Sequence, residues 1–372
     1  MWRPAYTPTH RGFDTSNGFL AGGQDHMTQL SFGECGCTQH DIWVNGTADA
    51  SLQGEYTGYR FAAAAVSAIE AHDASGGQPL FLYVALQNTH APLQARPEFE
   101  ALYPAVTYDK QLSFDAMMST IDSSVANITA ALKARGLWDN AILIFASDNG
   151  SPVAVGGSNW PLRGSKGGNF EGGVRTPAFV AGGLVPPAAR GSRREGMVHV
   201  ADWYATLLAL AGLPAADGND AIPVDGVDAW PYISGANSTP PRSRIVHAHD
   251  MYSGEAVGAL RDGDFKLVVE TVDQALWYGN DTLGHFTPPQ NGSAPDASAC
   301  SVAAPCLFNI AEDPRETTDL APAMPAKVAE LLALFHSYDG EHHPPRAAPP
   351  NNKAACCAAG KKAGGYLVPW GS

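Results

Sequence analysis

Two short apolar runs, each bounded by chain breakers, constrain this sequence most. "PLFLYVAL" occupies residues 79–86 after Gly76-Gly77, and "AILIFAS" occupies residues 141–147. Apolar runs of this length, fenced by turn residues, read as buried strands. Between them, residues 113–135 carry Ile121, Val125, Ile128 and Leu132 at helical spacing, and Gly136 suits the helix end. Strand, helix, strand in that order predicts an α/β domain whose parallel sheet is covered by helices. Ligands of such sheets gather at the carboxyl ends of the strands. Asp148 and Asn149 stand at such an end, and His90 stands just past the end of the preceding strand.

The remaining pattern adds a helix over residues 61–72, a short strand from Thr176 and a helix over 198–211 that stops at Gly212. From about Asp217 the character changes. Short strand-like pieces at 243–249, 256–262 and 265–270 predict a smaller antiparallel subdomain, closed by a helix over 325–337. After Glu341 the chain is rich in proline, alanine, glycine and lysine, which predicts a mobile tail. The expected organisation is therefore a main domain over 1–235, a small subdomain over 236–340 and a tail over 341–372.

At 372 residues and 45% hydrophobic composition, the chain can bury a sizeable core. Acids outnumber bases 37 to 23, for a formal charge of -14, with no basic block in the body of the chain. Nucleic acid is thereby excluded as an expected partner. No stretch of about 18 apolar residues is present, so no membrane span is expected, and no basic, apolar leader opens the sequence. Asn45, Asn127, Asn280 and Asn291 each begin an Asn-x-Ser/Thr acceptor triplet, as does Asn237, although Pro240 follows it. Such triplets also arise by chance. Of the six cysteines, Cys35 with Cys37 and Cys300 with Cys306 could each close a small loop or stay reduced. Adjacent Cys356-Cys357 rarely bridge each other, which leaves metal binding or intermolecular pairing open.

Asp148 and Asn149 offer oxygen atoms, the ligands a hard cation such as calcium or magnesium prefers. Asn149-Gly150 is equally an ordinary turn after a strand. "WPLRGSKGGNFEGGVRTP", residues 160–177, places Arg163, Lys166, Glu171 and Arg175 among five glycines. Glycines admit close backbone approach to a ligand, and Lys166 supplies a compact charge suited to a sulfate or phosphate oxygen. The same stretch also reads as a flexible surface loop, and it lacks the Gly-Lys-Ser/Thr ending of a P-loop. His90 could protonate a leaving oxygen, or it could simply be solvated. No Gly-x-Ser-x-Gly elbow and no His-Glu-x-x-His occur, so no nucleophile announces itself.

In combination, "IFASDNGSP", "NWPLRGSKGGNFEGGVRTPAFV" and "LQNTHAPLQ" resemble the sulfatase family, with the closer likeness to its arylsulfatase B (N-acetylgalactosamine-4-sulfatase) type. "YTPTHRGFDTSNGFLAGGQDH", "HVADWYATLLALAG", "VDGVDAW" and "CLFNIAEDPRETTDLA" extend the likeness, in order, over roughly residues 1 to 340. The resemblance implies an alkaline-phosphatase-like mixed α/β sheet flanked by helices, with a small C-terminal antiparallel α+β subdomain. It implies hydrolysis of sulfate esters, small-molecule or polysaccharide, in a secreted or lysosome-like setting. By the same likeness Asp148 and Asn149 are ligands of an active-site Ca2+ (Mg2+ in some relatives), Lys166 contacts the sulfate group and His90 lies beside the leaving oxygen. Arg163 and Arg175 add positive charge or bind structural carboxylates, the latter being favoured for Arg175. The family's aspartate pair, its Cys-x-Pro-Ser-Arg motif, source of the formylglycine nucleophile, and its Lys-Trp-His-Leu-Gly motif have no counterpart here. The expectation is thus an inactive fragment lacking the amino-terminal part that carries the nucleophile. A phosphodiesterase or phosphonate hydrolase of the same superfamily, and a non-catalytic binder of sulfated glycans, are the alternatives.

Overall fold

The computed structural model describes residues 3–31, 35–49, 53–152, 155–215, 223–252, 255–269, 300–341 and 352–369. The chain divides into two compact units, Met1–Trp138 with Pro344–Ser372, and Asp139–His343.

In the first unit, β1 (Asn17–Gly18), β2 (Trp43–Val44) and β3 (Thr47–Ala48) form a small antiparallel sheet. Helix α1 (Thr57–Ala71) packs on α3 (Asp109–Ala134), and α2 (Pro97–Glu100) packs on α3 as well. Phe61, Ala62, Ala65 and Ile69 of α1 and Ala116, Met117, Ile121 and Ala131 of α3 are buried. Full burial of each large side chain contributes about 1.5–3 kcal/mol. Gly58 permits the close crossing, because a Cβ there would lie 2.8 Å from Thr120 Cγ2. Asn45, with φ of 49°, and Gly46, with φ of 78°, form the exposed tip of the β2–β3 hairpin, which the left-handed tolerance of Asn-Gly explains. Asn127 is exposed on α3. Asn280 and Asn291 lie outside the described residues.

Residues 79–86 depart from the expected buried strand. They make no strand pairing among the described residues, and Phe81 and Tyr83 are 62% and 73% exposed. A run that is apolar on both faces becomes a buried strand only with neighbours on both sides. Exposed apolar surface of this kind promotes association. The double variant Phe81→Glu, Tyr83→Lys is expected to lower static light scattering of the purified chain severalfold while shifting its unfolding free energy by about 0.5 kcal/mol or less. Unchanged scattering would show that this surface does not drive association.

Residues 352–369 also differ from the expectation of a mobile tail. Helix α8 (Lys353–Lys362) is capped by Asn352, whose Oδ1 accepts from the Ala355 N–H at 2.9 Å. Disulfides join Cys35 to Cys356 and Cys37 to Cys357. The His40 N–H donates to the Gly365 carbonyl at 2.9 Å, and the Leu367 N–H to the His40 carbonyl at 2.8 Å. Cysteine pairing across sequence separations of 321 and 320 holds this segment.

The second unit contains β4 (Leu143–Ala146) and β5 (Ala178–Ala181), which pair antiparallel with Phe145 stacked on Phe179 at 5.1 Å. The parallel pairing expected around the 141–147 run is therefore not what its described partner makes. Between these strands lies the short helix α4 (Glu171–Val174), and after them α5 (Asp202–Leu210) and α6 (Trp230–Ile233). A four-stranded antiparallel sheet follows in the order β6 (Arg244–Tyr252), β7 (Glu255–Asp262), β8 (Phe265–Val268) and β9 (Cys306–Asn309). One face packs Leu260, Leu267 and Leu307 against Leu331 and Phe335 of α7 (Pro325–His336). Ala259, Val268 and Phe308 join Phe170 of the glycine-rich loop in a second cluster, which also contains the Cys300–Cys306 disulfide. The architecture is a mixed α/β fold with helices on its sheets and a separate C-terminal antiparallel sheet.

Candidate functional site

The glycine-rich loop forms the best-built site. Its shape follows from glycines that bring backbone onto backbone. The Gly172 N–H donates to the Arg163 carbonyl at 2.6 Å, and the Gly173 N–H to the Phe170 carbonyl at 2.8 Å. A Cβ at Gly172 would stand 2.5 Å from the Arg163 oxygen and 2.6 Å from the Gly164 oxygen. Asn159 braces the opposite side, accepting from the Ser151 N–H and donating to the Ser151 carbonyl, both at 2.8 Å, and to the Gly164 carbonyl at 3.1 Å. Lys166 rises from this loop half-buried, and its ammonium has no ion-pair partner among the described residues.

Asp148 and Asn149 follow β4 after Ser147. The Ser147 N–H donates to the Pro177 carbonyl at 3.1 Å, the Ser147 hydroxyl to the Asn149 carbonyl at 3.0 Å, and the Gly150 N–H to the Gly173 carbonyl at 2.9 Å. The turn thereby docks on the glycine-rich loop, which brings the Asp148-Asn149 segment and the Lys166 loop into one assembly. The expected Ca2+ or Mg2+ is not upheld. Among the described residues, no group of three or more His, Cys, Asp or Glu side chains is placed to hold a metal ion. Calcium takes six to eight oxygens, and Asp148 with Asn149 offers two oxygen-bearing side chains.

Arg163 is buried, with its Cζ over the Phe170 ring at 4.0 Å from the centroid. Arg175 reaches Glu171 at 3.7 Å and Glu195 at 4.0 Å. Sequence reasoning missed what Glu171 meets. Lys266, wholly buried on β8, donates to Glu171 Oε1 at 2.9 Å and sits 2.9 Å from Glu316 Oε1. Burial opposes the charge on Glu171, but the Lys266 charge and hydrogen bond, and further out Arg261, outweigh it, so its carboxyl lies below the ordinary range. Glu316 is pushed up, by burial first, with the neighbouring Glu171 charge adding to it against Lys266.

His247 occupies the bulge between Val246 and Ala248 on β6, and its Nε2 is buried without a hydrogen-bond partner among the described residues. Burial, followed by the Lys266 charge, pushes its imidazole down to about 3, with Glu171 opposing and Arg261 and His199 adding. The folded state thus holds His247 neutral while the unfolded chain binds a proton near pH 6.5. Its contribution is complete above that pH and is lost progressively as pH falls toward 3. Between pH 7.5 and pH 5, urea unfolding of His247→Asn is expected to show an acid loss about 2 kcal/mol smaller than that of the parent chain. Equal acid losses would remove His247 from the account.

His90 belongs to the first unit and is exposed. Its Nδ1–H donates to the Ala91 carbonyl at 2.8 Å. Its carbonyl accepts from His26 Nε2 at 3.0 Å, and His26 Nδ1 meets Thr57 Oγ1 at 2.9 Å. Burial holds the His26 imidazole below its ordinary range. The buried His26 therefore fixes the His90 loop, a role that "GQDHM" did not disclose as sequence.

A family model described as "Sulfatase" matches residues 3–213. Arylsulfatase J of Mus musculus is 34% identical over 352 residues, covering 89% of this chain and 57% of that protein. N-acetylgalactosamine-6-sulfatase of Canis lupus familiaris is 31% identical over 250 residues, covering 66% of this chain and 44% of that protein. The crystal structure of Ps i-CgsB superposes with a TM-score of 0.70 at 25% identity, covering 90% of this chain and 68% of that one. The chain spans about half the length of the curated relatives it matches. Two expectations are corrected by these matches. The family match takes in the chain from residue 3, so the supposed lack of the family's amino-terminal part, with formylglycine confined to it, does not stand. The narrower arylsulfatase B assignment gives way to the sulfatase family as a whole, since arylsulfatase J and N-acetylgalactosamine-6-sulfatase are of other sulfatase kinds.

Proposed function

Since the chain belongs to the sulfatase family, we propose that it serves the hydrolysis of sulfate esters, with sulfated carbohydrates as the substrate class. The observation that carries this reading is the half-buried Lys166 ammonium, without an ion-pair partner among the described residues, on a loop whose glycines fold its backbone tightly onto itself. As the S–O bond of a monoanionic sulfate ester breaks, negative charge builds up on the bridging oxygen. A fixed cation in a site shielded from water stabilises that charge more than it stabilises the substrate. Water is added overall, giving the alcohol and hydrogen sulfate. The attacking group is not assigned to a residue of this chain, and no step runs through a metal ion. By the sequence resemblance alone, His90 is given the proton transfer to the leaving alcohol oxygen, as an imidazolium that donates Nε2–H while its Nδ1–H stays on the Ala91 carbonyl. Arg163 and Arg175 serve as supports of the loop. A main domain over 1–235 and a small subdomain over 236–340 remain the proposed organisation. Three disulfides suit an oxidising, extracytoplasmic compartment, where Asn45 and Asn127 are exposed candidates for glycosylation.

The test compares 4-nitrophenyl sulfate, 4-nitrophenyl phosphate and bis(4-nitrophenyl) phosphate at equal concentration. Preference for the sulfate ester supports the reading. Preference for either phosphate would replace it with a phosphoryl-transfer enzyme, and binding of sulfated sugar without turnover would replace it with a binding protein.

A further inference from the structure

The buried charges behind the loop have no place in the proposed chemistry, yet their arrangement is specific. Lys266 is wholly buried inside the C-terminal sheet. A lysine there persists only if its charge is matched, and two carboxylates match it at 2.9 Å, from Glu171 and from Glu316. Glu316 holds a left-handed backbone at φ of 54°, costly for a non-glycine residue. In that conformation it does two further things. Its Oε2 accepts the Glu171 N–H at 2.7 Å, and its main-chain carbonyl accepts Arg163 Nη1 at 3.2 Å. Both ends of the segment 163–171 are therefore held by one residue, and Lys166 lies between them. The Arg163 carbonyl to Gly172 N–H bond closes the same segment on itself. His247, at its bulge, and Arg261 on β7 line the same charge cluster.

We propose that Lys266 and Glu316 are positioning residues that fix the 163–171 loop, and through it the Lys166 ammonium, for binding the sulfate group. The inference rests on the sulfate reading given above. Lys266 does not touch the ligand. It favours the ionised form of Glu171 and holds both carboxyl groups in place at 2.9 Å, so that the loop meets an anion already formed instead of being ordered by it. Removing the lysine sets two carboxylates against each other and frees both loop ends.

The experiment measures two quantities on the full chain and on Lys266→Met and Glu316→Gln. One is amide hydrogen exchange of peptides covering residues 160–175, which needs no ligand. The other is the Kd for inorganic sulfate by calorimetry. The expected result is exchange at least tenfold faster in 160–175, with β6–β9 unchanged, and sulfate binding weakened at least tenfold in Lys266→Met. Glu316→Gln, which keeps shape and loses charge, gives the same pattern at smaller size and decides the matter if Lys266→Met does not fold. Sulfate affinity equal to the parent in folded variants would overturn the inference, and so would unchanged exchange in 160–175. If the parent chain itself binds no sulfate, the sulfate reading fails, and the exchange measurement still decides whether Lys266 and Glu316 hold the loop.

Discussion

Lys166→Ala is expected to lower the rate of sulfate release more than tenfold while leaving the unfolding free energy within about 0.5 kcal/mol of the parent. The two halves of that expectation have separate grounds. Lys166 has no ion pair to lose among the described residues, so the fold does not depend on its charge. A developing sulfate anion does depend on it, because the loop offers a fixed cation that needs no reorganisation when charge appears. Loss of one such stabilising group typically lowers turnover by about 10²–10³. The loss should fall on kcat more than on KM if Lys166 acts mainly on the transition state. Lys166→Arg should recover part of the rate, since the charge is kept while the point-like ammonium is replaced by a broad fork. A rate equal to the parent in Lys166→Ala would remove this residue from the chemistry and leave the loop a structural element.

The largest stability effect is expected at Asp202, where Asp202→Ala should cost about 3–5 kcal/mol by urea unfolding. Asp202 is wholly buried at the start of α5. Its Oδ2 accepts from the His199 N–H at 2.7 Å and from Arg242 Nε at 2.9 Å, and its Oδ1 accepts from the Val227 N–H at 3.0 Å and from Arg242 Nη2. One carboxylate thus holds the turn that leads into α5, ties a distant loop and neutralises a guanidinium. Truncation strands two N–H donors and one cation together. Burial opposes its charge, but the Arg242 hydrogen bond and the two backbone donors prevail and hold the carboxyl below its ordinary range. Its contribution is therefore present above the unfolded carboxyl's pKa, near 4, and is lost as pH falls through the lower folded value. Asp202→Asn should retain part of the stability and lose the acid dependence that Asp202 adds. A cost under about 1 kcal/mol for Asp202→Ala would contradict this account of α5.

The parts of the fold that could be read in the sequence are those whose pattern is local. Helix α3 showed itself through Ile121 and Val125 at helical spacing, and the C-terminal sheet through short alternating runs at 243–249, 256–262 and 265–270. The unread parts depend on partners far along the chain. Residues 79–86 have the composition of a central strand, and composition does not say whether a neighbour is there to pair. Helix α8 hid in a segment rich in alanine, glycine and lysine because what holds it is Cys35 and Cys37, more than 300 residues earlier. The shaped loop that carries Lys166 was legible because glycines stand on both sides of it. Lys266 was not, because "FKLVVE" reads as a strand with one solvated face. The missed signal was that β8 is buried on both faces, where an isolated lysine demands carboxylates. Glu316 sits in the polar stretch "DPRETTDL", and nothing local marks its left-handed backbone or its reach to Glu171.

The most direct measurement is inorganic sulfate, quantified by ion chromatography, after incubating the purified full chain and its Lys166→Ala variant with a sulfated disaccharide and 4-nitrophenyl sulfate. Sulfate released by the parent chain and reduced more than tenfold in the variant is the outcome this account requires. No sulfate from the parent chain, or equal release from both proteins, would contradict it.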